Sequence, residues 1–65
     1  MDLQYYIQLT YAGQLSIIEM AKDSADEYEF ELSTLMAALY TDPELSEYSE
    51  SELQAAVMEL ISDQF

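Results

Sequence analysis

The sequence predicts an all-α chain folded as a small three-helix bundle. Two capping boxes, each followed by apolar residues at helical spacing, predict it. So does a hydrophobic fraction of 51%, too high for a disordered chain. With 65 residues, the chain sits near the lower limit for independent folding, where only about 60% of the unfolded surface is buried. A single domain over 1–65 is the expected count. Chains this short often draw on a disulfide, a metal or a second copy. Cysteine and histidine are both absent, which leaves homodimerisation as the open route.

The first segment carries no charge from Leu3 to Ile18. Leu3, Tyr5, Ile7, Leu9 and Tyr11 alternate as in a strand. Leu3, Tyr6, Ile7, Thr10, Tyr11, Gln14, Leu15 and Ile18 also share one helical face. Ala12-Gly13 reads either as a hairpin turn or as a weak point in a helix, since mid-helix glycine costs about 1 kcal/mol against alanine. A two-stranded hairpin needs something to pack on. One helix over 3–22 is therefore preferred, and the alternative is a β-hairpin followed by helices.

The second element opens with the capping box Ser24-Ala25-Asp26-Glu27. Tyr28, Leu32, Leu35, Met36, Leu39 and Tyr40 then form one face, predicting a helix over 25–40. Pro43 disfavours helical geometry at the residue before it, so this helix ends near Thr41. Asp42-Pro43-Glu44 starts a short helical turn with proline at its first position. The box Ser49-Glu50-Ser51-Glu52 opens the last element, whose stripe Leu53, Ala56, Val57, Leu60 and Ile61 predicts a helix over 50–63.

Charge is the dominant compositional feature. Fourteen acids face one base, Lys22, for a net charge of −13. Such a charge keeps a chain soluble while opposing its compaction. Direct nucleic-acid binding is excluded, because it needs Lys and Arg to displace counterions, and an anionic membrane surface is disfavoured. Met1-Asp2 lacks the basic start of a secretory signal. The uncharged run 3–18 is shorter than the roughly 20 residues that span a bilayer. A cytoplasmic protein is expected.

The residues for catalysis are not assembled. Without cysteine or histidine, nucleophilic chemistry loses its usual parts, and Ser24 and Ser49 are better used as helix caps. A chain this short has little room for a cleft around paired carboxylates, and Gly13, the only glycine, builds no phosphate loop. Asp23, Asp26 and Glu27, or Glu44 and Glu47, match no EF-hand spacing. Neither enzymatic activity nor a metal or other cofactor is expected.

The acids themselves remain. Glu19, Asp23 and Asp26 lie at offsets of four and three, and Glu52, Glu59 and Asp63 near whole turns, where like charges repel by a few tenths of a kcal/mol per pair. Solvated helices normally mix signs, so a merely solvated surface accounts for the acids but not for the missing bases. Adaptation to high salt is a second bland account. Duplex DNA presents one charge per roughly 1.7 Å and a helix rises about 1.5 Å per residue, so acidic helices can imitate its charge density.

Short length, acidity and helical pattern, with the clusters Asp23, Asp26, Glu27, Glu29, Glu31 and Asp42, Glu44, Glu47, Glu50, Glu52, make this chain resemble the small phage-encoded DNA mimics, among them anti-restriction and anti-CRISPR proteins. The resemblance covers composition over the whole chain and includes no diagnostic motif. It implies a stoichiometric inhibitor in a bacterial host cytoplasm, occupying the basic groove of a nucleic-acid-binding protein with those residues and Glu19. The alternative is a helical adaptor or regulatory subunit that binds through an apolar face of Tyr5, Tyr6, Tyr11 and Phe65.

Overall fold

The computed structural model describes residues 2–64, and these contain four α-helices and no strand. The helices are α1 (Leu3–Thr10), α2 (Ala12–Met20), α3 (Ala25–Tyr40) and α4 (Glu50–Gln64), with a 3₁₀ turn at Pro43–Leu45. The all-α expectation holds. The count of three does not, because the helix expected over 3–22 is two helices meeting at Tyr11.

The apolar spacing alone does not demand this break, since the fully buried Ile7 and Ile18, eleven positions apart, would lie within about 20° of each other on a straight helix. Tyr11 leaves helical geometry at φ −114°, ψ 26°, so α1 packs mainly on α4 while α2 packs mainly on α3. Hydrogen bonding bridges the joint, as the Tyr11 N–H donates to the Ile7 carbonyl and the Leu15 N–H to the Tyr11 carbonyl.

Side-chain caps set the other boundaries. The Asp2 carboxylate accepts from the Tyr5 N–H at the start of α1. Ser24 Oγ accepts from the Glu27 N–H at 3.4 Å, as the first capping box requires, but the Ser24 N–H donates to the Ala21 carbonyl instead of meeting Glu27. At the second box, Ser49 Oγ accepts from the Glu52 N–H and donates to the Glu52 carboxylate. The Thr41 hydroxyl closes α3 on the carbonyls of Ala37 and Ala38.

The core is assembled where the four helices converge. Ile7 comes from α1, Leu15 and Ile18 from α2, Leu35 and Leu39 from α3, and all five predicted stripe residues from α4. Leu45 joins them from the 3₁₀ turn and is fully buried. No charged or polar residue is buried among those described. Tyr28, Leu32 and Met36 pack at the core margin, whereas Tyr40 faces out.

Two acidic poles and a tyrosine-bound aspartate

The fold gathers the carboxylates at its two ends. One pole surrounds the α2–α3 connection. It holds Glu19 at the end of α2, Asp23 in the turn, and Asp26, Glu27, Glu29 and Glu31 on the first two turns of α3. The end of α4 lies beside it, because Lys22, Tyr28, Glu29, Leu32 and Ile61 line a common groove. The other pole is the α3–α4 connection and the first turn of α4, with Asp42, Glu44, Glu47, Glu50 and Glu52. Between the poles, residues 32–41 carry no charge. The uncharged part of α3, from Leu32 to Tyr40, separates the poles by roughly 14 Å.

This arrangement differs from the row expected of Glu19, Asp23 and Asp26. That row presumed continuous helix, but α2 ends at Met20 and the chain turns before Ser24. The three residues converge on a corner instead. Apart from half-buried Glu31 and Asp42, every acid of the two poles is exposed.

Half of the fourteen acids have a local structural role. Asp2 and Asp42 cap helix starts, and Asp26, Glu27, Glu44, Glu50 and Glu52 lie in first turns. There the free N–H groups and the helix dipole favour negative charge. The same physics favours cations at helix ends, and no last turn of the four helices has one. Capping thus accounts for seven acids. It leaves Glu19, Asp23, Glu29, Glu31, Glu47 and Glu59 without such a role, the side chain of Asp63 lying outside those described, and it does not account for the missing bases.

Asp42 differs from the rest of its pole. Its Oδ2 accepts hydrogen bonds from the Tyr6 hydroxyl at 2.9 Å and the Tyr11 hydroxyl at 2.6 Å. Its Oδ1 accepts from the Glu44 N–H at 2.9 Å. One carboxylate therefore ties α1 and the α1–α2 joint to the start of the 3₁₀ turn. The Tyr11 hydroxyl, with the Glu44 N–H and the Tyr6 hydroxyl, holds the Asp42 carboxyl below the usual aspartate value. Burial, reinforced by the bond to Asp42, pushes the Tyr11 phenol up to about 12, and the bond to Asp42 raises Tyr6.

The consequence for stability has two limbs. The Asp42 contribution is complete above the ordinary aspartate value near 3.9 and is lost as pH falls through its lower folded value. The Tyr11 contribution is complete below about 10 and is lost as pH rises through about 12. Tyr11→Phe should remove most of the alkaline loss between those values, measured as the urea midpoint against pH. An unchanged alkaline limb in the variant would mean that the phenol does not control it.

Three of the four residues of the apolar alternative are described, and these contacts separate them. Tyr5 is exposed, while Tyr6 and Tyr11 pack half-buried against the core with their hydroxyls on Asp42. Phe65 lies outside the described residues. Among the described residues, no three carboxylates come together as a metal cage, and no helix is long and apolar enough to cross a membrane. Comparison with known protein families, characterised proteins and solved structures finds no match.

Proposed function

We propose that the protein is a stoichiometric inhibitor that occupies the basic surface of a nucleic-acid-binding protein or nuclease complex by imitating a polyanion. The observation that carries the proposal is an excess of charge within the fold: two poles of carboxylates, and no basic residue in the last turn of any of the four helices. The magnitudes agree with it. The molecule is 33 Å long and carries −13, whereas a duplex of that length carries roughly 19 phosphate charges. The protein thus offers about two-thirds of the charge density of DNA in a shape as elongated as a short duplex.

On this reading Glu19, Asp23, Glu29, Glu31, Glu44 and Glu47 meet Lys and Arg side chains of the target. Asp26, Glu27, Glu50 and Glu52 add field while serving their helix starts. Asp42 is withdrawn from direct contact by its tyrosines and instead fixes the second pole to α1. Opposite fields steer the encounter and raise the association rate. The class resemblance implies a bacterial host cytoplasm and a phage origin, with action that needs neither catalysis nor a cofactor.

The test is to isolate the partner on immobilised protein and measure affinity against salt. Affinity should fall at least tenfold between about 0.05 and 0.5 M salt, as the screening length contracts to a few ångströms. Binding that is indifferent to salt would refute charge imitation.

A further inference from the structure

The side of α1 and α2 turned away from α3 and α4 is unlike the rest of the surface. Tyr5 and Leu9 lie two positions either side of buried Ile7, about 200° around the helix from it, and are 62% and 69% exposed. Ile17 and Met20 stand two positions after buried Leu15 and Ile18 and are 41% and 75% exposed. Between Asp2 and Glu19 no residue is charged. Each of the other two α-helices carries several carboxylates.

The four apolar residues have a further regularity. Leu9 and Ile17 lie four positions before and after Gly13, and Tyr5 and Met20 lie eight before and seven after. The pattern is nearly symmetric about the glycine. Within the fold, Gly13 has no evident purpose. Its φ is not positive, and an added Cβ would meet nothing within 4 Å. A glycine at such a point costs helix stability and gains close backbone approach for whatever lies against it.

We infer that this face pairs with a second copy of the chain, about a two-fold axis passing near Gly13. Such an axis runs the two α1–α2 units antiparallel and sets Leu9 against Ile17 of the second copy and Tyr5 against its Met20. Each contact then occurs twice, as an isologous interface requires. Charge selects the same arrangement. Two chains of −13 repel wherever their carboxylates are opposed, and residues 3–18 are the longest stretch of the chain without a charge. The chain is also of a size that commonly draws on a second copy for stability. A standard interface covers about 800 Å² per partner, roughly a fifth of the 4200 Å² that this chain exposes. The back of two short helices offers less, so the dimer is weak. This inference stands on the face alone and does not require the inhibitor reading.

Sedimentation equilibrium of the full chain tests it, with circular dichroism confirming that each variant is folded. The mass should double with concentration, and dimerisation should tighten roughly tenfold from about 0.05 to 0.5 M salt, the reverse of the trend for a basic target. Leu9→Glu and Ile17→Glu, both at exposed positions, should each weaken it at least tenfold, and Phe30→Glu on the outer side of α3 should not. Gly13→Ala should raise the melting temperature of the monomer while weakening the dimer, a split that a purely structural glycine would not produce. A chain that stays monomeric at about 1 mM in high salt, or a dimer indifferent to both Leu9→Glu and Ile17→Glu, overturns the inference.

Discussion

Leu39→Ala should leave a large fraction of the chain unfolded at room temperature. Leu39 is fully buried near the end of α3, in one core cluster with Leu35 and Leu45. Truncating a leucine at such a site costs about 2–5 kcal/mol, because the lost transfer energy is joined by that of the cavity left behind. A domain of 65 residues has a total of only about 3–10 kcal/mol to lose. The substitution therefore consumes much or all of the margin. Urea titration followed by circular dichroism measures it, and a loss under about 1 kcal/mol would mean that the core is not assembled as described. Leu9→Ala provides the contrast. Its side chain is solvent-exposed, and the change should stay within about 0.5 kcal/mol.

The second large effect concerns binding. Replacing Glu19, Glu29 and Glu31 by glutamine and Asp23 by asparagine removes four charges from the first pole without touching a helix cap. Target affinity should drop at least tenfold, chiefly through slower association. Stability should hold or rise, because each like-charged pair at helical spacing, such as Glu27 and Glu31, costs a few tenths of a kcal/mol. Binding and stability moving in opposite directions is the signature of charge kept for a partner. Asp42→Asn should show the reverse pattern, destabilising the fold through its two tyrosines with a smaller effect on the target. If the four-residue variant binds normally, the first pole is not a contact surface.

Local signals made most of the helices legible. Ser24 and the Thr41–Pro43 stretch bracket α3 at the predicted residues 25–40, because a cap and a proline act within one turn of where they stand. All five stripe residues of α4 are buried as their spacing implied. The break at Tyr11 was less visible. Ala12-Gly13 marked the weak point, but only the positions of α3 and α4 decide that the two halves must face different neighbours. Leu45 gave no periodic signal, since a three-residue turn has no period to detect. The contacts of Tyr6 and Tyr11 with Asp42 span 36 and 31 residues and follow no local pattern. The acidic clusters were plain from composition, yet their division into two poles depends on α2 and α3 folding back at the Ala21–Asp23 turn.

Competition between this protein and nucleic acid for the isolated target reaches the central claim most directly. With a labelled duplex bound to the target, added protein should release it completely at stoichiometric amounts, and excess duplex should reverse the exchange. A stable complex holding target, duplex and this protein together would contradict the account.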